Sequence, residues 1–305
     1  MSSIRQILFQ AIPLVALLLT SGCSVKKIAM NQVGNALSGG GTVFSADDDP
    51  ELIRGALPFS LKLMESVLEG TPEHDGLLSA LTSGFTQYSY GFVQLDAEEI
   101  EDEDFEAAEA LFARSVRLYD RAYRYGMRGL EARHKGFGMR FEADAVGALK
   151  RLKSKDSELL YWTGLALASS ISLSLDDPAK VGQLANAEAI LERVLEMDPG
   201  FDSGAIQSFF VTYEMSRLNG TGDPVEKATR YFEEAKRLSN GQMVSVFVAY
   251  AESVAVEQGD KEAFVRLLNQ ALSVDLDARP DWRLSNLIYQ RKAKWLLGRL
   301  DWYFY

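Results

Sequence analysis

"RVLEMDPG", residues 193–200, decides how this chain folds. Upstream of Pro199, the positions Ala187, Leu191 and Val194 fall at intervals of four and three, with the proline five further on. Intervals of three and four place side chains on one face of a helix. Small residues at the first and third places let a neighbouring helix approach closely, and the large residue between them fills the groove. Proline after the last turn ends the helix. The same intervals recur as Ser60, Met64, Val67 and Pro72, as Ala108, Phe112, Ser115 and Asp120, as Ala228, Phe232, Ala235 and Asn240, and as Phe264, Leu268, Ala271 and Leu276. Two of the five units keep the proline, and Phe264 replaces the small first residue, so the repeat is degenerate.

This spacing resembles the second helix of a tetratricopeptide (TPR) unit. It predicts an all-α chain of degenerate TPR helical hairpins, stacked as a curved solenoid whose first helices line a concave face. "GMRGLEARHKGFGMRFEADAVGALKRLKSKD", 126–156, is an insertion between the second and third units. "DWRLSNLIYQRKAKWLLGRLDWYFY", 281–305, is a final helix that caps the array.

The 305 residues are 47% hydrophobic and 25% charged, with a net charge of −11. That is globular composition, enough for one large domain or a repeat array. An acidic chain without a basic block is a poor ligand for nucleic acid, and the same balance opposes electrostatic docking on anionic lipid. The N-terminus, "MSSIRQILFQAIPLVALLLTSGCS", has Arg5, an apolar run from Ile12 to Leu19 too short to span a bilayer permanently, and Ser21 and Gly22 before Cys23. It resembles a bacterial lipoprotein signal, with Thr20 where leucine usually stands. The alternative is an ordinary secretory signal with an incidental cysteine. The lipoprotein reading divides the chain into a signal peptide at 1–22, a lipidated tether at 23–45 and a TPR-like α-helical domain at 46–305. The resemblance implies acyl chains such as palmitate on Cys23. The mature chain has no second cysteine for a disulfide. Anchoring places the body in the periplasm. Ser24, rather than Asp, after the cysteine points to the outer membrane, with the inner membrane the alternative.

The chain carries no catalytic signature: no H-E-x-x-H, C-x-x-C, P-loop or G-x-S-x-G, and only His74 and His134 as histidines. It is expected to be no enzyme and to need no cofactor or metal. "DDDP", 47–50, reads as an N-cap at Asp49 followed by proline at the first helical position. The acidic run from Glu98 to Glu106 lacks the glycine and alternation of a calcium loop and reads as a solvated helix start.

Three uncharged stretches fall on first helices. In "SGFTQYSYGFVQ", 83–94, Leu78, Leu81, Phe85, Tyr88, Phe92 and Leu95 form a packing stripe. Ser83, Gln87, Tyr90 and Gln94 form a second stripe, turned away from the first. "LYWTGLALASSISLSLDDP", 160–178, offers Trp162 and Ser169, and "GAIQSFFVTYE", 204–214, offers Phe209 and Tyr213. The alternative is that these are core helices with satisfied polar groups. Three such helices on one face point instead to a large, mostly apolar cavity with a few polar handles. The last helix adds Asn286, Gln290 and Arg291 as candidates. Its bases, Arg283, Arg291, Lys292, Lys294 and Arg299, either neutralise acidic helices or, at Arg283 or Arg291, meet a carboxylate of a ligand or partner.

Taken in order with "VFSADDDPELIRGALPFSLKLMESVL" and "RLSNLIYQRKAKWLL", these stretches resemble the TPR lipoproteins of TRAP transporters, the T component, from about residue 42 to the C-terminus. The resemblance implies a homotrimer, a cleft or pore through each protomer, a substrate-binding P component as partner, and a small hydrophobic or carboxylate ligand. The chain departs from the family pattern at 165–168, where a second tryptophan is common, and at Gln207, where histidine is common. The competing reading is an envelope TPR scaffold without a small-molecule ligand.

Overall fold

The computed structural model describes residues 28–217 and 220–304, and all regular structure among them is helical. Cys23 and the signal segment lie outside the described residues. The chain enters with α1 (28–38) and α2 (Gly41–Ser45). Helix α3 (Pro50–Gly70) follows, then α4 (Asp75–Ser89), which runs through a π-helical turn at Tyr90–Gln94 into α5 (Leu95–Ile100). Next come α6 (Phe105–Arg133), short α7 (Phe137–Ala143) and α8 (Ala145–Leu149), α9 (Ser157–Ser172), α10 (Pro178–Val181) and α11 (Leu184–Met197). The remainder is α12 (Ala205–Ser216), α13 (Pro224–Leu238), α14 (Val244–Tyr250) with a second π-helical turn at Ala251–Ala255, α15 (Lys261–Leu272), α16 (Arg283–Gly298) and α17 (Leu300–Tyr303).

Local chemistry sets the helix starts. Asp49, Asp177 and Asp223 each precede a proline and accept hydrogen bonds from the two N–H groups that follow it. The aspartate satisfies donors the helix cannot, and proline there loses no needed hydrogen bond. Asp104 caps α6 by accepting from the Ala107 N–H at 3.0 Å.

Helices pack in sequence: α3 on α4, α4 on α6, α6 on α9, α9 on α11, α12 on α13 and α14 on α15. The repeat positions sit in these seams. Ala187, Leu191 and Val194 are buried on α11, Ala228 and Ala235 on α13, and Phe264, Leu268 and Ala271 on α15. Helix α9 approaches both of its neighbours, α6 and α11, closely at glycines. A side chain at Gly126 would collide with Thr163, and one at Gly164 with Ile190 and Leu191 of α11.

Three segments differ from the sequence-based expectation. The second half of the expected tether is folded. Met30, Leu37 and Phe44 pack on the same apolar cluster as α3 and α4, and the His74 ring nitrogen Nε2 lies 3.2 Å from the Asn31 carbonyl oxygen. The insertion is part of the core, because Phe137, Phe141, Leu149 and Leu152 join Leu159, Ile190 and Phe210 in one cluster. Helix α16 does more than cap α15: it also packs on α2 and α3, at the other end of the chain. There Arg291 pairs with Asp96 at 2.8 Å and Glu99 at 2.5 Å, and Arg299 pairs with Asp102. The acidic run therefore does not simply face solvent: part of it receives the cations of the last helix.

Candidate functional site

One face each of α4, α9, α12, α14 and α16, together with part of α3, surrounds a cavity of about 1270 Å³. Ligand pockets for small molecules are usually about 300–1,000 Å³, so this one exceeds the need of a metabolite-sized guest. Four of the helices that wall it, α4, α9, α12 and α14, are short of charge. Asp75 is the sole charged residue of α4, Glu214 of α12 and Glu158 of α9, and α14 has none.

Eight of the eleven cleft residues expected from the sequence line this space: Ser83, Gln87, Tyr90, Gln94, Trp162, Ser169, Phe209 and Tyr213. The packing stripe of α4 behaves as expected, with Leu78, Leu81, Phe85, Tyr88, Phe92 and Leu95 all buried. Three residues of α16 do not line the cavity, which corrects the expectation. Asn286 is buried, accepts from the Val244 N–H at 3.1 Å and donates to the Gln242 carbonyl at 3.0 Å. Gln290 donates to the carbonyl oxygens of Ala271, Leu272 and Val274 at 3.2–3.3 Å, finishing α15. Arg291 is held by Asp96 and Glu99, and Arg283 donates to Asp277 at 2.6 Å and to the Ala46 carbonyl at 2.9 Å. These side chains stitch elements together instead of facing a ligand. The α16 face that does line the cavity carries Ser285, Ile288, Tyr289 and Lys292. Its three-four spacing was legible in the sequence, one helical face away from the residues singled out.

Lys292 anchors one polar part of the wall. It is buried between Glu98 at 3.2 Å and Glu252 at 3.0 Å, with its ammonium 5.8 Å from the centre of the Tyr90 ring. Burial alone would lower its pKa, but Glu252, Tyr90 and Glu98 outweigh that and hold it well above the ordinary lysine value. Tyr90 packs on Tyr289 with ring centres 5.3 Å apart, and burial pushes both phenols up. Gln94 is occupied at both ends: it accepts from the Tyr119 hydroxyl at 2.7 Å and donates to Glu98 at 2.8 Å. Tyr90 and Gln94 bound one π-helical turn, and Glu252 lies in the other. Such single-turn bulges often mark functional sites. No sequence spacing announced them.

A second part of the wall is aromatic. Tyr161 lies 5.1 Å from Trp162 and 4.8 Å from Phe201, and Phe209 stacks on Tyr213 at 5.4 Å between ring centres. Trp282 joins the lining, with the Arg279 guanidinium 3.8 Å from its ring centre. Between α11 and α12 the backbone takes left-handed φ at Asp202 (44°), Ser203 (53°) and Gly204 (105°). At Gly204 this turn brings α12 so close to α13 that a Cβ would lie 3.0 Å from Ala235 Cα. The turn sets the Asp202 carboxylate on the cavity wall, and burial raises its pKa while the Trp282 indole opposes the rise. Gln207 turns away from the space and donates to the Pro199 carbonyl at 2.8 Å. Among the described residues no group of three or more His, Cys, Asp or Glu is arranged to hold a metal ion, and no helix is long and apolar enough to cross a membrane.

Residues 46–304 match the family model described as TRAP transporter T-component. A protein of Treponema pallidum (strain Nichols), described as uncharacterized, is 26% identical over 94% of each chain.

Proposed function

The chain belongs to the TRAP transporter T-component family, and on that premise we propose that it is a lipid-anchored periplasmic accessory of a TRAP-type transport system. In this reading its helix pairs are degenerate TPR units and the cavity is the cleft of their solenoid. Cys23 carries the acyl chains, such as palmitate, and the outer membrane holds them. The body docks a substrate-binding P component, assembles as a homotrimer, and holds a small ligand in the cleft. The chain performs no chemistry on that ligand.

The observation that carries this reading is the cavity. Successive charge-poor helices contribute one face each to a single space, while their opposite faces pack in the core. A surface turned to open water is normally charged. A mostly uncharged wall of tyrosine, tryptophan, serine and glutamine suits a semi-dry space that meets a guest.

A scaffold role draws support from the outer face of α6. Arg114, Arg117, Arg121, Arg124 and Arg128 follow at three-four spacing, and four of them are exposed. Such a row fits an acidic protein surface, since guanidinium groups pair bidentately with carboxylates. It is compatible with docking the P component, so the two roles can coexist.

The test is capture from envelope extracts. The tagged full chain should retain a substrate-binding component, and replacing Arg117, Arg124 and Arg128 by Gln should reduce that capture. Recovery of no transport component would contradict the accessory role.

A further inference from the structure

We propose that the cavity selects a cationic amphiphile, an alkyl amine or quaternary ammonium, with Asp202 as its counter-ion and the aromatic wall around its head group. This rests on the reading of the cavity as a ligand site and replaces the carboxylate class expected from the sequence.

The first support is the state of the cations that line the cavity. There are three among the described residues, and each already lies between carboxylates of the chain itself. Arg133 sits between Asp75 at 2.5 Å and Asp156 at 3.6 Å. Arg217 meets Glu188, Glu192 at 3.0 Å and Glu214 at 3.2 Å. Lys292 meets Glu98 and Glu252. A carboxylate ligand would have to displace one of these partners and leave it unpaired, which is costly in a partly dry site.

The second support is the state of the acids. Asp202 and Glu158 line the same space, and neither has a salt-bridge partner within 4.0 Å among the described residues. Arg279, the nearest base to act on Asp202, is committed to Asp281 at 2.8 Å and to the face of Trp282. The Asp202 side chain is exposed on the cavity wall and makes no ion pair of its own, so its charge is open to a cationic guest.

The third support is the neighbourhood. Trp282 lines the cavity with Asp202, and both Trp282 and Tyr161 are close enough to act on its charge. Trp162 and Phe201 pack against Tyr161. Aromatic faces attract a cation within about 6 Å of the ring centre, and more strongly when it is desolvated. A carboxylate beside such faces matches an ammonium head, and the apolar remainder of the cavity takes its alkyl chain.

Three probes that share an eight-carbon chain separate the possibilities: octyltrimethylammonium, octanoate and 1-octanol. Each is titrated into the folded full chain preloaded with the uncharged dye Nile red, and displacement is followed by fluorescence. The ammonium should bind at least ten-fold more tightly than octanoate. Asp202→Asn should shrink that ratio about ten-fold and leave 1-octanol unchanged. Asparagine is at home at positive φ, so this variant keeps the turn; circular dichroism checks it. Glu158→Gln should lower the ratio less. If octanoate binds as tightly as the ammonium, or the ratio ignores Asp202→Asn, the charge assignment is wrong while the cavity reading stands. If neither Nile red nor any probe binds, both fall.

Discussion

Helices α9 and α12 differ from α13 in a way composition alone hides. The first two carry one charged residue each, Glu158 and Glu214. Helix α13 carries Glu226, Lys227, Arg230, Glu233, Glu234, Lys236 and Arg237 around a narrow buried stripe of Ala228, Phe232 and Ala235. All three lie within one stretch of sequence and pack on their neighbours by the same rules. They part at their second face. That of α13 meets bulk water, where charge is the ordinary surface. Those of α9 and α12 meet the cavity. A helix without a charged stripe in a chain that is 25% charged therefore marks an enclosed space.

Substitutions can break that comparison, and the largest effect belongs to the packed face. Phe85 is buried, stacks on Tyr125 at 6.0 Å and carries the Arg121 guanidinium 5.3 Å from its ring centre. Phe85→Ala should cost about 3–5 kcal/mol in denaturant unfolding, as large core deletions do. A loss under 1 kcal/mol would mean the face is not core.

Lys292→Met comes next. It removes the cation between Glu98 and Glu252 and leaves two half-buried carboxylates facing each other. Breaking one side of a buried pair costs about 3–5 kcal/mol, here reduced because both carboxylates are partly exposed. The pH dependence carries a sign. The folded pKa of Lys292 is raised, so its stabilisation is complete below the unfolded value of about 10.4 and is lost as pH rises through the folded value. Wild-type protein should lose stability in that alkaline window, and Lys292→Met should lose less of it there. Parallel curves would show that the lysine is not the titrating group.

Asp202→Asn should act in the opposite direction. The Asp202 pKa is raised, chiefly by burial. A raised carboxylate favours the folded state at low pH and opposes it above the folded pKa. The variant should melt slightly higher than wild type at neutral pH, and the gain should vanish in acid. A lower melting temperature at neutral pH would show that the charge supports the fold.

The smallest effect belongs to the cavity face of α4. Gln87 is exposed to the cavity. Gln87→Ala should leave stability within about 0.5 kcal/mol and weaken ligand retention. A stability loss near that of Phe85→Ala would make Gln87 a packing residue.

How much of this was legible depended on how local the signal was. The Asp–Pro caps, the Ala187–Leu191–Val194 seam and the two stripes of α4 each depend on residues within one helix, so spacing exposed them. The roles of Asn286 and Arg291 on α16 depended on residues between 42 and 195 positions away. Whether Arg291 neutralises an acidic helix or meets a carboxylate of a ligand stays open until α5 is laid beside it, and Asn286 reads as a polar handle until the Val244 N–H is seen to need it. The Asp202 turn was hidden for another reason: nothing in "DPGFDSGA" requires three consecutive left-handed residues until α12 must dock closely on α13. The packing role of the insertion was hidden because its apolar residues complete a core made by α9, α11 and α12, which no local pattern reveals.

The most direct measurement is the mass of whatever the native chain carries. Protein extracted from its own envelope is denatured, and the released small molecules are quantified by mass spectrometry. A Leu165→Trp variant, whose larger ring intrudes from the cavity wall, is treated in parallel. The wild type should release a molecule with a long apolar part in near-stoichiometric amount. The variant should fold with a similar melting temperature and release little. Equal release from both, or none from a wild type that still captures its partner, would contradict a ligand-holding cavity.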